Sequence, residues 1–333
     1  MKEAMLYTLE KEQRVKCHLC RHGCIVYDGK RGICNVRENR AGKLFSILYG
    51  KPCTISVDPI EKKPLFHFYP GSKSLSLCTL GCNFKCSFCQ NWRISQYEDQ
   101  GDDDTVSPEE VVALAKEHAV KSISYTYTEP TIFFEYAYDI AKLAKDADIA
   151  NNFVTNGYMT REALDTIKPY LDATNIDLKS FRKDTYRKYM KAGLDGVLDS
   201  IKYMKELGIW IEVTTLIVPG MNDDESELKD IANFLVNTGR DIPWHISRFT
   251  PQYKETDRPP TPVKKLYRAY EIGKEAGINY VYVGNLPTDE KENTYCHGCN
   301  ALLIERSGFS VVKNSLEPKG ICSNCKTKIA GVF

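Results

Sequence analysis

The sequence contains neither a long apolar run nor a concentrated charge of one sign. A membrane-spanning helix needs about 18 consecutive, mostly apolar residues, and no segment approaches that length. Its 45 Lys and Arg residues balance 44 Asp and Glu residues, for a net charge of +1, so the basic face of a nucleic-acid-binding protein is not expected. Residues 1–7 lack the apolar core of a signal peptide. These absences predict a cytoplasmic protein with neither a membrane nor a nucleic acid as partner.

Repeats and low-complexity tracts are also missing, whereas cysteine is unusually abundant. The chain has 333 residues, 42% of them hydrophobic, which is enough for one large domain with smaller attachments. Its 13 cysteines fall into three groups. A disulfide framework is not expected in a large cytoplasmic chain, so the clusters indicate metal binding. Cys53 stands alone and is most simply a buried small residue.

The central group is Cys82, Cys86 and Cys89, with the spacing C-x3-C-x2-C directly after an apolar alternation at 74–78 that predicts a strand. Three thiolates this close can hold three irons of a 4Fe-4S cluster and leave the fourth iron open to a small molecule. The alternative is a zinc loop or unrelated thiols, but zinc usually requires a fourth ligand and favours paired C-x2-C knuckles. The motif resembles that of the radical S-adenosylmethionine (SAM) superfamily.

Two further groups of four cysteines lie near the ends of the chain. The N-terminal group has the spacing C-x2-C-x3-C-x9-C and comprises Cys17, Cys20, Cys24 and Cys34. The C-terminal group consists of two C-x2-C knuckles in a zinc-ribbon layout, namely Cys296, Cys299, Cys322 and Cys325. Four thiols suit tetrahedral zinc, and they equally suit an iron–sulfur cluster. We therefore expect zinc at both sites, with a second or auxiliary cluster as the alternative at each.

Between the terminal groups, predicted strands and helices alternate. Repeated strand–helix units predict an α/β fold with a parallel sheet and right-handed crossovers. Together with the cluster strand they make about six units, which predicts an open partial (β/α)6 barrel of the radical SAM type. An acidic turn is expected at 98–104. The predicted organisation is a Cys-rich N-terminal region at 1–70, the barrel at 71–290 and a zinc-ribbon-like region at 291–333.

Functional residues are expected at the carboxyl ends of the barrel strands. Glu129 lies in Tyr-Thr-Glu-Pro, where radical SAM enzymes have Gly-Gly-Glu-Pro, and the resemblance implies that its carboxylate holds the amino group of SAM. The alternative is an acid that begins a helix. Thr155 and Asn156 could bond the ribose or carboxylate of SAM, or form a plain turn. Asp177 and Lys179 could both point into the barrel mouth, or form an internal ion pair. His245, on a later strand, is more typical of a core histidine.

The resemblance to the pyruvate formate-lyase activating enzyme group covers residues 73–290. The N-terminal cysteines, the run 81–92 and the Tyr-Thr-Glu-Pro element are similar to the AmmeMemoRadiSam branch of that group. The resemblance implies a 4Fe-4S cluster that reductively cleaves SAM to a 5′-deoxyadenosyl radical, which takes hydrogen from a substrate. It also implies an electron donor such as ferredoxin or flavodoxin.

Three functional hypotheses remain open from the sequence. The first is a radical SAM oxidoreductase, similar to the glycyl-radical-enzyme activases, that acts on a protein or peptide. The second is a radical SAM enzyme that acts on a small-molecule metabolite. The third is a non-enzymatic zinc-ribbon binding module, and the intact cysteine triplet together with Glu129 argues against it.

Overall fold

The structure is a computed structural model that describes residues 1–96, 104–286 and 290–333. The acidic turn expected at 98–104 lies outside the described residues except for Asp104. No helix among the described residues is long and apolar enough to cross a membrane.

The N-terminal region forms two small antiparallel sheets that pack on the barrel. Their orders are β1-β6-β5 and β2-β3-β4. Their strands are β1 (Lys2–Glu3), β2 (Tyr7–Leu9), β3 (Val15–Cys17), β4 (Ile25–Val26), β5 (Arg37–Arg40) and β6 (Lys43–Ser46). Short helical turns lie at Lys11–Gln13, Ile60–Lys62, Pro130–Phe133, Tyr186–Met190 and Glu290–Glu292.

The body of the protein is an eight-stranded sheet in which the strands follow one another in chain order. They are β7 (Thr54–Pro59), β8 (Lys73–Cys78), β9 (Ser122–Tyr125), β10 (Ala150–Thr155), β11 (Ala173–Asp177), β12 (Trp210–Ile217), β13 (Trp244–Arg248) and β14 (Val281–Gly284). β8 to β14 are parallel, and β7 is antiparallel to β8. The predicted parallel α/β fold is confirmed, with one antiparallel edge strand added. The predicted domain boundaries, after residues 70 and 290, stay a prediction. β7 lies within the predicted N-terminal region at 1–70, but it pairs with β8, the strand that precedes the cysteine triplet.

Helices connect successive parallel strands. The helices are α1 (Trp92–Ser95), α2 (Pro108–Glu117), α3 (Phe134–Asp146), α4 (Arg161–Ile167), α5 (Lys183–Thr185), α6 (Leu194–Glu206), α7 (Glu225–Thr238) and α8 (Val263–Ala276). α2 begins with the expected capping box, in which Ser107 and Glu110 satisfy each other's backbone N–H groups. Apolar faces such as that of α3 are buried against the sheet, as a helix between parallel strands requires.

The segment 60–69, which follows β7, crosses the interior of the barrel and reaches its opposite edge. The buried carboxylate of Glu212 on β12 accepts hydrogen bonds from the backbone N–H groups of Phe66 and His67, at 3.0 and 2.8 Å. His67 Nε2 also lies 2.6 Å from the hydroxyl of Tyr282 on β14. Because the same segment contacts both edges of the sheet, it bridges the side on which the barrel would otherwise be open.

The C-terminal region packs on that bridged side. It contains β15 (Thr294–Tyr295), β16 (Leu302–Ser307), β17 (Ser310–Asn314), β18 (Leu316–Glu317) and β19 (Ile321–Cys322). Its buried residues form one apolar cluster with Phe66, Tyr280 and Tyr282. Arg306 is buried and donates 2.8 Å to the carbonyl of Phe66. The tip of the β16–β17 hairpin carries Phe309, which is 48% exposed.

Candidate active site

A cavity of about 560 Å³ opens at the carboxyl ends of the parallel strands. It brings together the eight central residues that the sequence singled out, namely Cys82, Cys86, Cys89, Glu129, Thr155, Asn156, Asp177 and Lys179. Phe309, from the C-terminal hairpin, also lines it. The carboxyl ends of parallel strands share one edge of a sheet, and loops from each strand therefore converge there.

The cysteine triplet lies in a loop whose backbone supports thiolates. The N–H of Phe84 points at Cys82 Sγ at 3.4 Å, and Ser95 Oγ lies 3.1 Å from Cys89 Sγ. Burial and the nearby charge of Glu129 raise the pKa of Cys82. Burial also raises the pKa of Cys86 to about 12, although Lys179 opposes the shift. Uncompensated thiolates are costly here, and a cationic iron–sulfur core is the kind of group that would stabilise them.

Gly81 allows this loop to pack closely on the N-terminal cysteine site. Its φ is +97°, in the region that favours glycine. A Cβ at this position would lie 2.9 Å from Val36 Cγ1 and 3.0 Å from the carbonyl oxygen of Cys34. His22 Nε2, from the same N-terminal region, lies 2.9 Å from the carbonyl of Asn83. The N-terminal metal-binding candidate and the cluster loop are therefore in direct contact.

The carboxylate of Glu129 is almost completely buried and heavily hydrogen-bonded. Oε1 accepts from Thr131 N at 3.1 Å, Thr131 Oγ1 at 2.5 Å and Thr155 Oγ1 at 2.7 Å. Among the residues that the structure describes, Oε2 accepts a hydrogen bond only from Asn156 N, at 2.7 Å. A carboxylate oxygen has two acceptor positions, so Oε2 retains one for an ammonium group in the cavity. Burial raises the pKa of Glu129 despite these bonds.

Thr155 and Asn156 orient other groups of the site. The Thr155 hydroxyl donates to Glu129, as described above, and accepts from Gly157 N at 3.0 Å. The side-chain amide of Asn156 donates to Asn83 Oδ1 at 2.7 Å, within the cluster loop. Asn156 thus connects Glu129 to the loop that carries the three cysteines.

Asp177 and Lys179 form an ion pair, with Lys179 Nζ 2.7 Å from Asp177 Oδ2. Burial tends to lower the pKa of Lys179, but the charges of Asp177 and Cys86 outweigh it and raise the pKa. Both residues also line the cavity. The sequence offered an internal ion pair and a position in the barrel mouth as alternatives, and the structure shows both together.

A second group of charged residues lines the same cavity and was missed by the sequence reasoning. Lys62 and Lys63 both bind the carboxylate of Asp58 on β7, with Nζ–Oδ distances of 2.8 and 2.6 Å. The Tyr127 hydroxyl donates to the same carboxylate. Tyr127 has φ +64°, an uncommon conformation for a residue other than glycine. In the sequence, this group is marked by no more than two adjacent lysines soon after a predicted strand. Such a pair is too common in proteins to indicate a functional site.

The four N-terminal cysteines line one small apolar pocket. A Cβ built on Gly32 would lie 3.6 Å from Cys24 Sγ and 3.9 Å from Cys34 Sγ. The buried guanidinium of Arg37 donates 3.1 Å to Cys17 Sγ and also pairs with Glu135. A cation beside the thiols would balance part of the negative charge of either a four-thiolate zinc site or a cluster.

The four C-terminal sulfurs converge, all lying within 4.8 Å of one another. The Sγ–Sγ distance is 3.6 Å between Cys296 and Cys325 and 3.8 Å between Cys299 and Cys322. Backbone and side-chain N–H groups point at these sulfurs, for example Gly298 N at 3.3 Å from Cys296 Sγ. Such a donor set suits a single small metal ion.

Cys53 and His245 are the two residues for which the sequence predicted a position in the core. Cys53 was expected to be buried, and this is wrong: it is exposed, with its sulfur 3.3 Å from Cys78 Sγ. It lies beside β8 at the edge of the sheet, where the chain has not yet entered the core. His245 is a core residue as expected, 5% exposed and 2.6 Å from Glu212 Oε2.

Comparisons with known proteins agree with this geometry. The family model of the radical SAM superfamily matches residues 76–235. An uncharacterized protein of Methanocaldococcus jannaschii is 46% identical over 333 residues and covers 99% of both chains. The pyruvate formate-lyase-activating enzyme of Clostridium pasteurianum is 24% identical over 165 residues, covering 47% of this chain and 67% of that enzyme.

Among solved structures, a radical SAM methyltransferase from Sphaerobacter thermophilus is similar in fold. Its TM-score is 0.51 at 18% identity, and the match covers 65% of this chain and 67% of that one. The superfamily uses SAM, a 4Fe-4S cluster and an electron donor. The cysteine triplet stands at the end of the first parallel strand, inside the matched range and inside the cavity. The chain therefore belongs to the radical SAM superfamily.

Proposed function

We propose that the protein is a radical SAM oxidoreductase in which Cys82, Cys86 and Cys89 hold the 4Fe-4S cluster. The observation that carries this proposal is the convergence of the three thiols and Glu129 in one cavity. When bound, the cluster and SAM supply a 5′-deoxyadenosyl radical that takes hydrogen from a substrate. An electron donor such as ferredoxin or flavodoxin would reduce the cluster.

The chain's own residues bind and orient the cofactor. Glu129 Oε2 accepts the ammonium group of SAM at its remaining acceptor position. Thr155 and Asn156 hold this carboxylate in place, and Asn156 also fixes the cluster loop through Asn83. Lys179, paired with Asp177, places a positive charge near Cys86.

The test is reductive SAM cleavage by protein reconstituted anaerobically with iron and sulfide and reduced with dithionite. Replacing the three cysteines by Ala should abolish 5′-deoxyadenosine formation, because no cluster can assemble. Cys53→Ala is the matched control, since this thiol is exposed and lies outside the cavity. Continued 5′-deoxyadenosine formation by the triple variant, with its folding verified by circular dichroism, would refute the proposal.

We assign zinc to the C-terminal site. With Zn–S bonds of about 2.3 Å, a tetrahedral site has S–S edges of about 3.8 Å, close to the observed 3.6 and 3.8 Å. A cluster of four irons would hold the sulfurs farther apart. For the N-terminal site we also propose zinc, with a second cluster as the alternative. Metal analysis of the triple variant should then find about two zinc ions per chain; iron and sulfide would indicate auxiliary clusters instead, and a metal-free protein would contradict both assignments.

Two substrate classes are supported by different observations. Similarity to the Clostridium activating enzyme favours a protein or peptide, as for a glycyl-radical-enzyme activase. The exposed tip of the C-terminal hairpin, at Phe309 on the rim of the cavity, offers a surface that a macromolecule could contact.

A small molecule is favoured by the closure of the barrel. The segment 60–69 bridges the two edges of the sheet through Glu212 and Tyr282, near the amino ends of β12 and β14, and this leaves less room inside the barrel for a bulky substrate. Cell extract, whole or filtered to remove macromolecules, distinguishes the classes. If the filtrate stimulates 5′-deoxyadenosine formation as well as whole extract does, the protein-substrate candidate is excluded. If only the retained fraction stimulates it, the small-molecule candidate is excluded.

A further inference from the structure

The wall of the cavity formed by Lys62, Lys63 and Tyr127, which all contact Asp58, is not used by the binding of the cluster or SAM described above. Asp58 lies on β7, Lys62 and Lys63 lie on the segment that follows β7, and Tyr127 lies on the loop after β9. These elements adjoin through the β7-β8-β9 part of the sheet. Lys62, Lys63 and Tyr127 line the same cavity as the cysteine triplet and Glu129. A group held on this wall would share the cavity with SAM.

Lys63 is unusual for a lysine because its side chain is only 1% exposed. Lysine is rarely buried to this extent unless it is paired or functional. Its amine lies 2.6 Å from Asp58 Oδ2 and 4.4 Å from the centre of the Tyr127 ring. The Tyr127 hydroxyl also donates to Asp58, so the amine and the hydroxyl share one carboxylate. This carboxylate can pass a proton between the hydroxyl and the nitrogen atom.

The charge of this wall is unbalanced. The single carboxylate of Asp58 binds two ammonium groups, those of Lys62 and Lys63, and also accepts from Tyr127. Burial lowers the pKa of Lys63 from 10.5 to about 8; Asp58 opposes this shift and the neighbouring charge of Lys62 adds to it. A desolvated lysine beside a second cation is one of the ways in which proteins obtain a nucleophilic amine.

Tyr127 adopts its position at a conformational cost. Its left-handed backbone disfavours any residue with a side chain, and such strain is often found at functional sites. The conformation places the Tyr127 ring beneath the Lys63 amine and its hydroxyl on Asp58. Its carbonyl accepts from Asn91 Nδ2 at 2.7 Å, which connects this wall to the loop of the cysteine triplet.

We infer that Lys63 forms an imine with a substrate that carries an aldehyde or ketone group and, next to it, an anionic group held by Lys62. The inference rests on the small-molecule candidate of the proposed function, whose substrate it describes. The neutral amine adds to the carbonyl carbon, and a C–N bond forms. Both hydrogens of the amine nitrogen end on the carbonyl oxygen, which leaves as water, so no oxidant or reductant is consumed. Tyr127 and Asp58 assist by donating and accepting protons at this site.

The test uses pyruvate as the probe, with the anaerobically reconstituted full chain and sodium cyanoborohydride at pH 7. Reduction of the imine leaves a carboxyethyl group on the lysine, which peptide mass spectrometry locates. Because the pKa of Lys63 is lowered to about 8, a larger fraction of this amine than of an ordinary lysine is neutral at this pH. Allowing for a lower intrinsic nucleophilicity, we expect Lys63 to be labelled about tenfold or more faster than the exposed Lys183. Equal or slower labelling of Lys63 would show that it forms only a structural ion pair and would overturn the inference.

Two controls separate the parts of the inference. Acetone has the same carbonyl chemistry without a charge, so the preference for Lys63 over Lys183 should be larger with pyruvate than with acetone. Lys62→Gln should remove this advantage of pyruvate. Labelling of Lys63 should continue at a lower rate, because a charge that helps to lower its pKa is lost; an unchanged advantage would exclude the anion-binding role of Lys62. Labelling does not require SAM cleavage, and 5′-deoxyadenosine is measured in parallel. A failure of the imine is therefore distinguishable from a failure of the radical reaction.

Discussion

Replacement of Glu129 by Gln tests the proposed SAM-binding carboxylate most directly. The side chain keeps its size but loses its charge and gains an N–H donor. The hydroxyls of Thr131 and Thr155 can rotate, whereas the backbone N–H groups of Thr131 and Asn156 cannot. Whichever way the new amide is oriented, its nitrogen faces one fixed N–H donor. The resulting unpaired buried donors cost about 1–3 kcal/mol of folding stability.

The effect on SAM binding follows from the lost charge. A hydrogen bond to a charged group contributes about 1.5–3 kcal/mol, so SAM should bind about 10- to 100-fold more weakly to Glu129→Gln. Equilibrium dialysis of the anaerobically reconstituted protein measures this Kd. Cluster content, from iron and sulfide analysis, should stay near that of the unsubstituted chain because the three cysteines are unchanged.

The matched control is Glu212→Gln. Glu212 is equally buried and also accepts backbone N–H groups, but it lies outside the cavity. This variant should lose stability with no change in the Kd for SAM. If Glu129→Gln bound SAM as tightly as the unsubstituted chain, Glu129 could not be the ammonium acceptor. A loss of affinity in both variants would likewise contradict the reasoning, because the effect would follow stability and not the cavity.

The pH dependence gives an independent check of the same carboxylate. Burial raises the pKa of Glu129 from its ordinary 4.5, so protonation begins at a higher pH than for an exposed glutamate. The ionised form binds the ammonium group, and SAM affinity should therefore fall as the pH is lowered towards the raised pKa. The affinity of Glu129→Gln should be independent of pH over that range, since the amide does not titrate.

Two further predictions concern the N-terminal metal-binding candidate. Arg37→Leu should lower the free energy of unfolding in urea by about 3–5 kcal/mol, because the buried Glu135 loses its cationic partner and keeps only the N–H of Met5. Adding Glu135→Leu should restore part of this loss, and an unaltered single variant would contradict the ion-pair argument. Gly81→Ala should reduce the cluster content after reconstitution, since its Cβ would lie 3.0 Å from the carbonyl of Cys34 at a φ of +97°. Gly308→Ala, at a φ of +56° with open space around its Cβ, is the control and should load the cluster normally.

Much of the fold was predictable because its signals are local. The capping box at Ser107 and the alternation of strands with helices specify a parallel α/β sheet within short windows of sequence. The spacing of Cys82, Cys86 and Cys89 is likewise local, as is that of the terminal cysteine pairs. The position of Glu129 at a strand end follows from the same alternation, because parallel strands all present their carboxyl ends to one edge.

The remaining features depend on contacts between distant parts of the chain. Asp58 and Lys63 precede the cluster loop, yet they meet Tyr127, which follows it. The hairpin that carries Phe309 reaches the cavity from the C-terminal region. Neither arrangement has a periodicity or spacing that a sequence window could reveal.

The sequence by itself determined that most of the cysteines lie in closely spaced groups and that strands alternate with helices, since spacing and secondary structure depend on near neighbours. The tertiary structure alone decided that segment 60–69 crosses the barrel and places Lys63 in the cavity. That path depends on the buried carboxylate of Glu212, which accepts the backbone N–H groups of Phe66 and His67. A buried acceptor must be satisfied by the donors that the whole fold brings to it. Here His67 and Glu212 are 145 residues apart in the chain, so no short window of sequence could reveal their contact.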